Sequence, residues 1–135
     1  MFFPEGELMA KKKVDVTMHS HGIYDGWDRD SKELPNLVKI TTEIETALDI
    51  EFGYILRIRG ARNSRIRFRI EHPPFKGSDG SIAAPFDGEL YVKTNDFRFF
   101  LGDTVWAPVE DKRGAWRLIT WLDGEKVADK TLNMV

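Results

Sequence analysis

Six arginines lie within residues 52–70, and this stretch contains no lysine and no acidic residue. A guanidinium group binds phosphate and carboxylate groups through a planar, two-pronged set of N–H donors. The whole chain has 20 basic and 22 acidic residues, so the remaining 14 basic residues face all 22 acids elsewhere. We therefore predict a docking surface for an anionic partner within this stretch, whose arginines are Arg57, Arg59, Arg62, Arg65, Arg67 and Arg69.

The alternative is that neighbouring strands place acids across the arginines, since cross-strand opposite charges are a common way to neutralise an outer sheet face. Glu43, Glu45 and Glu89 are candidates for that role. If the surface is open, its partner is an acidic protein, another polyanion or nucleic acid. Nucleic acid is the weakest of these, because the sequence pI is about 5.9 and nucleic-acid-binding domains are typically basic.

His19 and His21 are the second candidate site. Residues i and i+2 of a strand point to the same side, and two imidazoles on one side can share a metal ion. Asp25, Asp28 or Asp30 could supply a third ligand. The alternative is that both histidines are simply solvated on the polar face of a strand.

Other motifs with known chemistry give little support for catalysis. The acidic cluster Asp25, Asp28, Asp30 and Glu33 lacks the spacing of a calcium loop, so we interpret it as a solvated turn. No serine stands in a nucleophile-elbow context, and no glycine-rich phosphate loop or dinucleotide fingerprint is present. We therefore expect no cofactor and no enzymatic activity, with a metal protein or enzyme using His19 and His21 as the alternative.

The elements that position these residues are strands, because apolar and polar residues alternate along most of the chain. Residues 54–59 and 65–70 alternate on either side of a turn cluster at 60–64, which predicts a β-hairpin. In such a hairpin one outer face gathers five of the six arginines: Arg57, Arg59, Arg65, Arg67 and Arg69.

Further turn signals divide the rest of the chain. Asp123-Gly124 predicts a tight hairpin between the last two strands. Residues 94–102 fit either a helical turn or a strand with Phe97, Phe99 and Leu101 on one face. The whole pattern predicts seven to eight strands in an antiparallel sandwich or barrel.

The tryptophans allow two interpretations. We expect Trp116 to be the central core tryptophan. Trp121 and Ile119 fall on the opposite face of that strand, where Tyr91 and Phe100 would join them in an exposed patch. Such a patch would bind a partner, a sugar or a second copy of the chain. The alternative is that the N-terminal segment or the loop at 75–87 covers it.

Three stretches resemble a bacterial family catalogued only as a domain of unknown function. The resemblance spans roughly residues 14–134 and implies an immunoglobulin-like β-sandwich. It implies no catalytic residues. The stretches are His21–Tyr24, then Thr41–Ile44 followed by Glu51–Gly53, and finally Gly114–Trp116 leading to Leu122–Gly124 and Val127–Ala128.

Length and composition set the remaining expectations. A chain of 135 residues fits one domain, and we place it at 13–135 with an N-terminal tail at 1–12. Met9 and the lysines after it resemble a start of their own, so we expect residues 1–8 to lie outside the folded domain. No segment resembles a signal peptide or a membrane span, so we expect a cytoplasmic protein. We expect it to act as a non-catalytic interaction or binding module.

Overall fold

The computed structural model describes residues 13–28, 30–31 and 33–135, so the expected tail at 1–12 lies outside the described residues. In the described part, no helix is long and apolar enough to cross a bilayer. The chain forms nine strands and one 3-10 turn: β1 (Asp15–Asp25), β2 (Asn36–Ile40), β3 (Glu43–Ile44), β4 (Glu51–Arg59), β5 (Arg65–Glu71), β6 (Phe86–Tyr91), β7 (Asp96–Thr104), the turn (Glu110–Lys112), β8 (Gly114–Leu122) and β9 (Glu125–Met134).

The strands form two sheets that face each other. The first sheet has the order β2-β1-β4-β7, and the second has the order β3-β9-β8-β5-β6. Every pair is antiparallel except β3 with β9, which is parallel. This arrangement confirms the predicted all-β sandwich, with nine strands where the sequence predicted seven to eight.

The core lies between the sheets, where the inward apolar residues of each strand meet. Trp116 is 1% exposed and its ring packs edge-on against Phe52, with 5.1 Å between centroids. The prediction of Trp116 as the central tryptophan is therefore confirmed. Tyr54 of the first sheet and Thr120 of the second share a buried hydrogen bond of 2.6 Å between their side-chain oxygens. This bond ties the two sheets together, because a buried polar group needs a partner.

The predicted hairpin of residues 54–59 and 65–70 is wrong, because β4 and β5 belong to different sheets. The turn cluster between them bonds to the β6–β7 connection instead. The amide of Gly60 donates to the carbonyl of Asn95, and the amide of Asn63 donates to the carbonyl of Val92. Alternation along a strand fixes which residues point inward, but it carries no information about which sheet the next strand joins.

Two other local predictions are confirmed. Asp123 and Gly124 both have positive φ, 47° and 87°, which suits a two-residue hairpin turn between β8 and β9. Residues 96–104 form strand β7 rather than a helical turn, with Phe99 and Leu101 buried on its inner face. As a strand, this segment lies at the edge of the first sheet.

Candidate functional site

An apolar groove of about 680 Å³ runs along the free edge of β7. In the described part of the chain, β7 pairs with β4 on one side and with no strand on the other. Side chains from both faces of β7 line the groove, and β5 and β6 of the second sheet form its far wall. The groove residues are Trp27, Asp49, Phe68, Ile70, Phe86, Asp103, Val105 and Trp106, together with Phe99–Gly102 and Thr104.

An aromatic cluster around a buried lysine closes one end of this groove. Lys112 is 1% exposed, and its ammonium donates to the carbonyl of Pro108 at 2.8 Å and to the carboxylate of Asp111 at 2.6 Å. The same nitrogen lies 4.5 Å from the centre of the Trp106 ring and 4.9 Å from that of Phe75, so π contacts add to the oxygen contacts. The contact with Lys112 therefore fixes the Trp106 ring in the wall of the groove, although this residue is 37% exposed.

The outer side of β7 carries a second aromatic group, built over a row of glycines. Gly22, Gly53 and Gly102 are direct neighbours in β1, β4 and β7. A Cβ at Gly53 would collide with the carbonyl oxygen of Leu101 and one at Gly102 with that of Phe52, so these strands approach too closely for a side chain. Tyr24 of β1 and Phe100 of β7 meet above β4, with ring centroids 5.1 Å apart.

The position of Phe100 in this aromatic group shows that the predicted patch of Trp121, Ile119, Tyr91 and Phe100 is wrong. Phe100 lies on the first sheet, whereas the other three lie on the second. Ile119 is buried, Trp121 is half-buried and Tyr91 is exposed. Of the four expected residues, the outer face of the second sheet therefore keeps Trp121 and Tyr91 within reach of a ligand.

The arginines of β4 lie on the outer face of the first sheet. Arg57 donates to both carboxylate oxygens of Asp96, at 2.9 and 2.8 Å. The hydrogen bond to Arg57 holds the pKa of Asp96 below its ordinary range, and the same bond raises the pKa of Arg57. Arg59 stands opposite Asp15 and Asp96 in the register of its neighbours. Arg62, in the loop, is exposed, and its backbone amide donates to the Asn95 side chain.

The arginines of β5 lie on the outer face of the second sheet, on the far side of the molecule from Arg57 and Arg59. Arg65 faces Glu89 at 3.8 Å, and Arg69 faces Asp87 at 3.7 Å. The single face of five arginines predicted from the sequence therefore does not exist, because β4 and β5 are in opposite sheets. Acids do reach across to the arginines, as the alternative proposed, although Glu43 lies on β3 and pairs with β9.

A β-bulge separates the two histidines. The register of β1 against β4 shifts between Met18 and Ser20, so that His21 is paired with Tyr54 and shares its face. Burial, followed by the charge of Lys130, lowers the pKa of His21. His19, the extra residue of the bulge, lines a surface pocket with Ser20 and Arg98 instead. The alternation on which the metal prediction at His19 and His21 depended is therefore interrupted at this point.

The acidic cluster forms local turn contacts. The amide of Asp30 donates to the side chain of Asp28, and the amide of Glu33 donates to the hydroxyl of Ser31. Among the described residues, no group of three or more histidine, aspartate or glutamate side chains converges in a way that could hold a metal ion. The structure thus brings neither Asp25, Asp28 nor Asp30 together with His19 and His21.

Sequence reasoning missed the β7 groove. Phe68, Phe86 and Phe99 fit the pattern of ordinary inward-facing strand residues, and nothing in their spacing shows that the sheets part beside them. The available signal was the nine phenylalanines of the chain, four of which fall in residues 86–100. Aromatic residues concentrated on strands at one side of a sandwich are compatible with either a core or an open groove.

Comparison with known proteins identifies the family of this chain. The chain is similar in structure to an immunoglobulin-like protein from Pseudomonas aeruginosa, with a TM-score of 0.75 and 18% sequence identity. The match covers 93% of this chain and 99% of that one, and it confirms the immunoglobulin-like sandwich. No curated protein matches the chain. Residues 12–134 match the model of a domain of unknown function, DUF3859. The chain therefore belongs to the DUF3859 family.

Proposed function

We propose that the protein is a non-catalytic interaction module that binds an extended, apolar segment of a partner protein at the β7 groove. An added strand would bond to the unpaired main-chain groups of β7, and every second side chain would enter the groove. The observation that carries the proposal is the coincidence of a free strand edge with an apolar groove lined by aromatic side chains.

The charge of the groove indicates what kind of segment it would accept. The exposed carboxylate of Asp49 lines it. An acidic segment would be repelled by this carboxylate, and a neutral or basic segment would not. The proposed partner is therefore apolar and neutral or basic, in contrast to the anionic partner expected from the arginines.

The opposite edge of the same sheet offers a comparison. Strand β2 exposes Leu37, Val38 and Ile40, of which Ile40 is 65% exposed. Exposed apolar edge strands pair readily with other chains, so β2 is the competing site. It lines no comparable apolar groove among the described residues, and a strand added there would gain main-chain bonds with less side-chain burial. This difference favours β7.

Selection from a displayed peptide library against the full chain tests the proposal. We expect peptides with alternating apolar residues and no acidic charge. Their binding should slow amide hydrogen exchange along residues 97–104, because an added strand protects edge amides. The Trp106→Ala variant should weaken binding about ten-fold, as loss of an aromatic anchor commonly does. Its thermal unfolding should be measured alongside, to confirm that it still folds.

Val38→Ala is the matched control, because it removes an exposed apolar side chain from the other edge of the sheet. It should leave peptide affinity unchanged. If selected peptides protect β2 instead of β7, or if no peptide is selected above background, the proposal is wrong. Concentration-dependent self-association that protects β7 without any peptide would point to a second copy of this chain as the occupant.

A further inference from the structure

A second recess lies on the outer face of the second sheet, across β6, β5 and β8. It has a volume of about 530 Å³ and is distinct from the β7 groove, which opens between the sheets. We call it the Arg67 slot. Its walls are side chains that the strand register places on one face: Arg67, Arg69, Asp87, Glu89 and Trp121, with Phe68, Gly88 and Gly124 completing the lining.

The polar groups of the Arg67 slot have unused hydrogen-bonding capacity. The Nε atom of Arg69 is buried, yet it makes no hydrogen bond within the protein. Its two nearest carboxylates, Asp87 and Glu71, are 3.7 and 3.8 Å away, which is too far for a hydrogen bond. Among the described residues, Arg67 has no carboxylate within ion-pair distance, although Glu89 is its direct neighbour in the register. The exposed guanidinium of Arg67 therefore keeps donors that a polar ligand in the slot would meet.

The charges of the slot cancel. Two guanidinium groups stand beside two carboxylates, so the positive and negative charges are equal in number. The slot therefore offers both hydrogen-bond donors and acceptors. A phosphate or sulfate group would meet Asp87 and Glu89, and a basic peptide would meet Arg67 and Arg69. A neutral ligand with many hydroxyl groups can donate to the carboxylates and accept from the guanidinium groups at once.

Trp121 supplies the remaining feature. Its half-buried ring stands next to Arg67 in the register, on the same outer face. An indole presents an apolar surface with a polar N–H at one edge, which suits a ligand that has one apolar side and a polar rim. A pyranose ring has that character, since its C–H groups form one face and its hydroxyls surround it.

We propose that the Arg67 slot binds a neutral saccharide, with Trp121 stacking on a sugar ring and Arg67, Arg69, Asp87 and Glu89 bonding to its hydroxyls. This inference is independent of the proposed peptide groove. The two sites lie on different surfaces and use different chemistry, so either can fail while the other stands.

An array of neutral and sulfated oligosaccharides, probed with the full chain, provides the test. We expect binding to neutral hexose or N-acetylhexosamine oligosaccharides that changes little as salt is raised, because no net charge is neutralised. Titration with the best neutral oligosaccharide should shift the indole N–H resonance of Trp121. Trp121→Ala and Arg67→Met should each weaken binding about ten-fold, the loss expected for one anchoring contact.

Arg117→Met is the matched control, because Arg117 lies on the same outer face but outside the slot. It should leave saccharide affinity unchanged. The proposal is overturned if no neutral oligosaccharide binds, or if binding is unaffected by both Trp121→Ala and Arg67→Met. Binding restricted to sulfated oligosaccharides and lost at high salt would also overturn it, in favour of a polyanion surface.

Discussion

The outer face of the second sheet has two halves with the same residue types and different geometry. In the β8–β9 half, Arg117 donates to both oxygens of Asp129 at 2.8 and 2.6 Å, and Lys126 adds a bond of 3.0 Å. In the β5–β6 half, the ion pairs of Arg65 and Arg69 with the acids of β6 are 3.8 and 3.7 Å long. One half is closed by short hydrogen bonds, and in the other the ion pairs are too long for hydrogen bonds.

The difference follows from how the charges alternate across the strands. Arg117 stands opposite the neutral Thr131 of β9 and opposite Glu71 of β5, which it contacts at 3.7 Å, and its two-pronged pair is with Asp129 on the same face. On β5, Arg67 and Arg69 stand directly opposite Glu89 and Asp87 of β6, whereas Arg65 stands opposite Tyr91 and reaches Glu89 only at 3.8 Å. Attraction is then shared among several long contacts, and no two-pronged pair forms. Composition alone therefore does not distinguish a neutralised face from a binding face.

The largest effect is expected from a change beneath both halves. Thr120→Val removes the hydroxyl that bonds Tyr54 and leaves the Tyr54 hydroxyl buried without a partner. Since burial already raises the pKa of Tyr54, this site is poorly solvated. We expect a loss of about 1–3 kcal/mol in the free energy of unfolding, the usual cost of an unsatisfied buried polar group. Chemical denaturation measures it.

Tyr54→Phe combined with Thr120→Val should recover part of that loss, because no polar group is then left unpaired. A double variant no more stable than Thr120→Val alone would contradict this account of the bond. Both variants should keep the difference between the two halves of the outer face, since the change lies on the inner face.

An intermediate effect is expected from acid titration of the closed half. The hydrogen bond from Arg117 and the contact with Lys126 hold the pKa of Asp129 well below its ordinary range. A depressed pKa in the folded state stabilises the protein above the unfolded value, and this stabilisation is lost as the pH falls below about 4. The Asp129→Asn variant should therefore lose less stability between neutral and acidic pH than the wild type.

Asp87→Asn serves as the counterpart in the open half, where the acid makes no short hydrogen bond. At neutral pH it should cost less stability than Asp129→Asn, because a long ion pair at an exposed site contributes little. Denaturant unfolding at a series of pH values compares Asp129→Asn with the wild type, and its neutral-pH point compares Asp129→Asn with Asp87→Asn. Equal losses of stability for the two variants at neutral pH would show that the two halves do not differ in this respect.

The smallest effect is expected when one arginine is replaced in each half. Arg117→Met should lower the denaturation midpoint slightly, because it removes both hydrogen bonds to Asp129 while keeping most of the side-chain volume. Arg67→Met should leave the midpoint unchanged, since exposed charges without a short contact contribute little to stability. A loss of stability in Arg67→Met equal to that in Arg117→Met would mean that the open half is structural.

Much of the fold could be predicted from the sequence, but the assembly of the candidate sites could not. Alternation identified the inner residues Tyr54, Leu56 and Ile58, and all three are fully buried. It could not show that the chain crosses to the other sheet at residues 60–64, because a five-residue loop suits a hairpin or a crossing equally. That one connection determines whether Arg57 and Arg67 share a face.

The histidine prediction did not anticipate the bulge in β1. A bulge adds one residue to β1 between Met18 and Ser20, and no glycine or proline there signals it. The β7 groove was missed because an edge strand and a central strand can carry the same apolar pattern. Both cases depend on long-range pairing, which a single sequence does not encode locally.

The glycine row of β1, β4 and β7 links three positions that are far apart in the chain. A residue inserted within any of these strands would shift one glycine out of line and drive a side chain into a neighbouring backbone. Length differences among members of the family should therefore accumulate in the connections, such as residues 26–35 and 76–85, and avoid these strands. An alignment anchored on the three glycines would then recover relatives whose overall similarity is too low to detect otherwise.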